Sequence, residues 1–355
     1  MNWNLVKKDL TLLLRNPLSY IGIVAMVIIV SITVSPYLSL YENLRLEDEQ
    51  IDYSLDGDVM DGYIPTPEEE RWEYVLQKME DVLISEYGLS VEDAENQINE
   101  INDKKWTLQE IAQYFSDEYG MIGFESLWEE ATYKKADMTE MQQYLESVFK
   151  DETYTNYFAR KYADYLGVSV IPFTIVIFSI LLMHDMRKNI YGFIHTKPIS
   201  GGVYVLGKYF TGIVFVVTIV IIQTIVVDVI AVRAGDNYGF DTNFIDIWKD
   251  IIFFDGPAIL LTGSIMLFIA ILFKNVIPAI PAMLLYFMYA NIGSIDNVEG
   301  YHYQIKPGAI FVRFPQPFTE TEVPMGIIEN QILLLFLAAV LIIASIQIWE
   351  RRRDT

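Results

Sequence analysis

"VYVLGKYFTGIVFVVTIVIIQTIVVDVIAV", Val203 to Val232, decides how this chain is to be read. It carries one Lys and one Asp in 30 residues. As a helix rising 1.5 Å per residue it would exceed the roughly 30 Å hydrocarbon core of a bilayer. Five further apolar runs stand beside it: Leu18 to Tyr41, Leu166 to Met183, Ile251 to Phe273, Val276 to Gly293 and Ile327 to Trp349. The expected fold is therefore an α-helical polytopic membrane protein with six transmembrane helices. In the fourth run, "FFDGPAI" suggests a helix that begins at Pro257 with Asp255 as its cap. Reading the first run as a cleaved signal peptide would leave five spans and break the alternation of loop charge.

The chain has 355 residues, 52% of them hydrophobic, yet a formal net charge of -22. Glu42 to Asp164 holds 32 acidic and 10 basic residues, and the remainder holds 15 of each, so one segment carries all of the excess charge. Short-loop Lys and Arg set orientation. Lys7, Lys8 and Arg15 precede the first run; Arg187, Lys188, Lys197 and Lys208 lie between the second and third; Lys274 follows the fourth; Arg351, Arg352 and Arg353 follow the sixth. All four groups fall on one side, expected to be the cytoplasm, with both termini there.

The expected organisation is an amphipathic interface helix over 1–17, a first span over 18–41 and an acidic helical extracellular domain over 42–165. A second span over 166–183, a cytoplasmic loop over 184–202, spans three to six over 203–349 and a basic tail over 350–355 complete it. In the outer domain, "TPEEERWEYVLQKMEDVLISEYG" offers Thr66 as N-cap, Pro67 at the first helical position and Glu69 three after the cap. Trp72, Val75, Leu76, Met79, Val82 and Leu83 then share a face. "TLQEIAQYFSDEYG" repeats the device with Thr107 and Glu110, and Gly120 can end that helix. A third helix is expected from Thr139 through Val148, and its successor carrying Tyr157, Phe158, Tyr162 and Tyr165 can run straight into the second span. The acidic surface reads either as a solvated face or as a docking surface for a cationic ligand such as a basic peptide.

"PISGGVYVLGKYF" contains Gly202, Gly207 and Lys208, which approaches the phosphate loop G-x-x-x-x-G-K-[ST]. Tyr209 stands where Ser or Thr would hold Mg²⁺, and an apolar span follows instead of a short helix behind a strand, so the motif is rejected. Lys208 then reads as a membrane-surface anchor.

The longer stretch "RKNIYGFIHTKPISGGVYVLGKYFTGIV", Arg187 to Val214, resembles the cytoplasmic loop of ABC-2 type transporter permeases. The matching positions are Thr196, Pro198, Ile199, Ser200, Gly207 and Lys208, and Asp185 fills the place of an acidic residue that often follows the second span in that family. The six runs, the basic amphipathic N-terminus and the basic tail extend the likeness over nearly the whole membrane part. The outer segment is much larger than in the simplest members, and "YGFIH" is a loose match to the family's wording.

That resemblance implies the permease subunit of an ATP-binding cassette exporter, in which a separate ABC ATPase dimer binds ATP and Mg and presses on the inner loop. It implies a second permease copy or a homologous permease as the other half, an amphipathic substrate such as a peptide or lipid, and the cell membrane as the location. No cofactor in this chain, no nucleic-acid partner and no catalytic residue are expected. Independently of the family, Ile190, Phe193 and Ile194 give the loop an apolar face beside basic Arg187 and Lys188. With the resemblance, coupling to the ATPase is expected at Arg187, Lys188, Ile190, Phe193, Ile194, Thr196, Pro198 and Ser200. Trp3, Val6, Leu10 and Leu13 form a similar stripe in the N-terminal helix, with Lys7 and Lys8 off it. Either helix could instead be only a lipid anchor.

Gln223 and Asp228 are the polar residues that could line a pathway, although Asp228 lies five residues from Arg233 and also reads as an interfacial acid. Pro278 and Pro281 would disturb the start of the fifth run. The aromatic, proline-rich stretch from Tyr301 to Gly326 suits a re-entrant or interfacial element, or an aromatic belt. The chain has no cysteine, and His184, His195 and His302 show no metal spacing, so no metal site is expected. Two other classes stay open: a transducer that moves the outer domain without carrying a substrate, and a membrane enzyme with an outward-facing site.

Overall fold

The computed structural model describes residues 3–104, 106–120, 123–196, 199–292, 294–296, 300–302 and 305–352. The chain divides into two compact units, one of Met1–Leu38, Phe149–Gln316 and Glu320–Thr355, the other of Ser39–Val148 with Pro317–Thr319.

The first unit opens with α1 (Trp3–Arg15) and α2 (Pro17–Val34). Asn16 caps α2 by accepting from the Leu18 amide at 2.9 Å, with Pro17 at the first helical position. A 3₁₀ turn, Ser35–Leu38, ends the span three residues earlier than expected at Tyr41.

The second unit follows in the chain. It contains β1 (Tyr53–Ser54), β2 (Tyr63–Pro65), α3 (Glu68–Ser85), α4 (Val91–Lys104), α5 (Leu108–Tyr119), α6 (Phe124–Glu130), β3 (Tyr133–Lys135) and α7 (Met138–Val148). The strands form an antiparallel sheet in the order β1-β3-β2. The segment expected as a helical domain holds five helices and, in addition, this small sheet. Val75, Met79 and Leu83 of α3 and Ile111 and Phe115 of α5 build its core, as the helical spacing predicts.

Thr107 and Glu110 form the predicted capping box, and Gly120 ends α5 at φ +67°. The parallel expectation for Thr66 fails. Its amide donates to the Thr132 carbonyl at 3.0 Å as β2 leaves the sheet, so Pro67 takes the cap position and makes no side-chain cap bond. Pairing with a residue 66 positions away has overridden the local signal.

Back in the first unit, α8 (Tyr154–Met183) is one helix of 30 residues, so the predicted successor helix does join the second span. It packs against α2 and the later helices and buries residues on all sides, from Tyr154 to Leu182. A short α9 (Lys188–His195) precedes α10 (Gly201–Tyr238), which runs 38 residues. Ser200 caps α10 by accepting from the Val203 amide at 3.4 Å, and Gly239 stops it at φ +80°.

The fourth span is longer than expected. Helix α11 (Ile245–Asp250), a π-helical turn over Ile251–Asp255 and α12 (Gly256–Phe273) are continuous, and Asp255 makes no side-chain cap bond. Its backbone is already helical at φ -94°, ψ -30°, so the cap expectation is overturned.

The fifth run yields only α13 (Ala279–Asn291), 13 residues or about 20 Å. Pro278 occupies its cap and Pro281 its first turn, where a missing N–H costs no hydrogen bond. Strands β4 (Ser294–Asp296) and β5 (Gly300–His302) pair beyond it, and α14 (Ile327–Arg351) closes the unit. Five helices are therefore long and apolar enough to cross a membrane among the described residues, which makes this a multi-pass, helical membrane protein in character.

Candidate functional site

Four of the expected features meet at one end of the first unit. Lys208, two turns into α10, is 2% exposed. Its ammonium lies 2.9 Å from Asp9 Oδ1 of α1 and 2.6 Å from Asp185 Oδ2, just past α8. Tyr204 donates its hydroxyl to the same Asp185 oxygen at 3.0 Å. The expectation of a snorkelling anchor at Lys208 is thus corrected. Helix α1 lies across the start of α10 and removes the lysine from the surface. Gly207 permits that approach, because a Cβ there would meet Leu5 Cδ2 at 2.7 Å.

Burial pushes the Asp9 carboxyl up from its ordinary range, against the pull of Lys208. Asp9 was missed in the sequence, although it lies three residues after Val6 and four before Leu13, on the buried stripe of α1. An acid on an apolar stripe is the signal that was available. Of the residues expected in that helix, Val6 and Leu13 are buried, Leu10 is half-buried, and Lys7 and Lys8 are exposed. Trp3 is exposed on one side and meets Phe210 edge-on at 6.5 Å.

The loop helix joins the same assembly. Tyr191 of α9 meets Trp349 of α14 edge-to-face at 5.7 Å, and Trp349 stacks on Tyr204 at 3.8 Å. A chain of contacts therefore runs from α9 through α14, α10 and the end of α8 to α1. The C-terminal helix is tied in as well, since Arg352 donates to the carbonyls of Ile271 and Leu272 at the end of α12.

A cavity of about 570 Å³ lies between α1 and α9, walled by Leu5, Leu12, Ile190 and Ile194 and edged by Lys8, Arg15 and His184. Phe193 is 61% exposed at its margin. The remaining predicted loop residues have local roles. Arg187 precedes α9 as an exposed cap residue, Thr196 ends it and donates to the Phe193 carbonyl at 2.8 Å, and Ser200 caps α10. Lys188 opens α9, and its side chain lies outside the described residues, as do Pro198, Lys197 and Arg353.

The two pathway residues lie elsewhere. Asp228 is fully buried, and its Oδ2 accepts from Trp248 Nε1 of α11 at 2.9 Å; the expected setting near Arg233 is replaced by this interhelical bond. Gln223 is buried too, and neither amide atom meets a protein partner. The stretch expected to be re-entrant contributes a buried segment, Ala309 to Val312 and Phe314, in which Phe314 N donates to Asp164 of α8 at 2.7 Å.

No family model, curated protein or solved structure matches the chain.

Proposed function

We propose that this chain is the membrane permease subunit of an ATP-binding cassette exporter, driven by a separate ATPase that docks at α1 and α9. The observation that supports this most is the contact chain from Tyr191 through Trp349, Tyr204, Asp185 and Lys208 to Asp9. A push on α9 at exposed Phe193 would be shared at once by α8, α10 and α14, the elements that cross the bilayer. Rigid transfer of this kind needs fixed side-chain contacts, and buried ion pairs with stacked aromatics supply them.

In this reading the α1–α9 end is cytoplasmic, the unit of residues 39–148 is extracellular, and α13 together with the residues flanking it serves as a shortened sixth crossing. A second permease chain, identical or homologous, would complete the path for an amphipathic substrate, peptide or lipid. ATP and Mg would be bound by the ATPase dimer.

The test is recovery of an ATPase with the tagged full-length chain, comparing wild type with Phe193→Ala. Loss of an aromatic anchor at an interface costs on the order of 2 kcal/mol, or roughly thirtyfold in affinity. Recovery should fall accordingly, with the spans still folded. An ATPase that binds both forms equally, with equal hydrolysis coupled to transport, would return α9 to the role of a lipid anchor.

A further inference from the structure

Asp255 is a buried acid that neither the fold nor the proposed coupling uses. It closes the π-helical turn, is 3% exposed, caps nothing, and its Oδ2 meets no protein partner. Its other oxygen faces Gly167 of α8, where a Cβ would stand 2.9 Å from Oδ1. The room for this carboxyl group therefore exists because residue 167 has no side chain. A π turn widens the helix at one residue and is frequent at functional sites.

The charged and titratable groups around it are mostly acids. From α8 come Asp164 and Tyr162, and from its own helix Asp250, whose Oδ2 is also without a partner. Cations reach the neighbouring acids but are engaged there or elsewhere: Arg313 is bound to Asp164, Lys161 donates to the Phe314 and Gln316 carbonyls, Arg160 pairs with Glu152, and Lys249 acts on Asp250. Tyr162 lies 3.3 Å from Thr224 Oγ1 of α10, and Gln331 of α14 donates to the Phe254 carbonyl at 3.4 Å, so neither is directed to Asp255 by these bonds. Burying an unpaired carboxylate beside like charges costs more than burying the neutral acid. Among the described residues no three acids or histidines are grouped to hold a metal ion.

We propose that Asp255 is a proton-binding site, which carries a proton while α8 and the Ile245–Phe273 helix are packed together and releases it to water when they part. Opening of that interface is then linked to release of one proton per chain, whatever the substrate. This inference does not depend on the proposed ATPase.

The test uses the full chain in nanodiscs at neutral pH, read by infrared spectroscopy in H₂O and D₂O. Wild type should show a protonated-carboxyl C=O band that shifts in D₂O, and Asp255→Asn should lose that component while melting at a similar temperature, since the amide is close in shape to the neutral acid. No such band in wild type would overturn the proposal even if the variant failed to fold. A band unchanged in Asp255→Asn would overturn it too, and so would a melting temperature that falls when choline replaces sodium and potassium, because a bound metal cation would then be the occupant.

Discussion

Lys208 shows how much a single side chain can hold in this fold. Its ammonium sits between the carboxylates of Asp9 and Asp185, at 2.9 and 2.6 Å. Removing it would leave two acids buried together, and breaking such a pair costs about 3–5 kcal/mol. Lys208→Met should therefore loosen α1 from α10. In this cysteine-free chain, a single Val6→Cys, 1% exposed in the packed state, reports that opening. Its labelling rate should rise roughly a hundredfold in the Lys208→Met background, as local opening follows the lost stability. Unchanged labelling would mean that α1 is held by its apolar stripe alone. Lys208→Arg should give an intermediate rise, because a planar fork does not fit where a compact ammonium sits between two carboxylates. The sequence made the basic residue and Asp185 visible but not their meeting with Asp9. That partner is 199 positions away from Lys208, and hydropathy assigns any lysine at a helix start to the membrane surface.

At the level of elements, β3 carries the clearest charge-dependent stability. Lys134 is buried and bonded to Glu70 at 2.5 Å and Glu140 at 2.7 Å. Burial opposes the Lys134 charge, but the two carboxylates hold its ammonium above the ordinary lysine range. Burial likewise opposes the Glu140 charge, and Lys134 with the Asp137 amide brings that carboxyl below its ordinary range. The signs give two limbs. Glu140's contribution is complete above the unfolded glutamate value of about 4.3 and is lost as pH falls through its lower folded value. Lys134's contribution is complete below about 10.4 and is lost as pH rises through its higher folded value. Tyr63, pushed up to about 12 by its hydrogen bond to Asp52, adds to the alkaline limb. Unfolding followed by near-ultraviolet circular dichroism of the Trp72–Trp128 pair, 4.8 Å apart, should show a plateau between the limbs. Lys134→Met should lower that plateau by about 2 kcal/mol, less than a fully buried pair because Glu70 is partly in water, and should flatten the acid limb. An acid limb of unchanged depth would place that pH dependence elsewhere. Helices α3, α5 and α7 were legible because apolar spacing is local, and for α5 the cap is local as well. The strands were not, since runs of two or three residues carry no period and β1 pairs across 81 positions, Tyr53 with Lys134. The π turn escaped for a related reason: Asp-Gly-Pro reads as a helix start, whereas the backbone stays helical through Asp255 and Gly256.

Across the whole molecule, the basic groups found along the sequence come together. Contacts among α1, α9, the start of α10 and the ends of α12 and α14 bring Lys8, Arg15, Arg187, Lys274 and Arg352 to one end of the first unit. The bias in loop charge predicted this clustering because short loops alternate sides when helices span. The number of long spans was less legible, since hydropathy weighs Val276 to Gly293 as apolar while Pro278 delays its helix. Sidedness is the claim on which the rest depends, because an ATPase can grip α9 only from the cytoplasm. The direct measurement is labelling of single cysteines by a membrane-impermeant reagent in intact cells, with Glu86→Cys in the acidic unit and Lys7→Cys on the exposed side of α1. The account predicts that Glu86→Cys is labelled at once and Lys7→Cys only after permeabilisation; labelling of Lys7→Cys in intact cells with Glu86→Cys protected would contradict it.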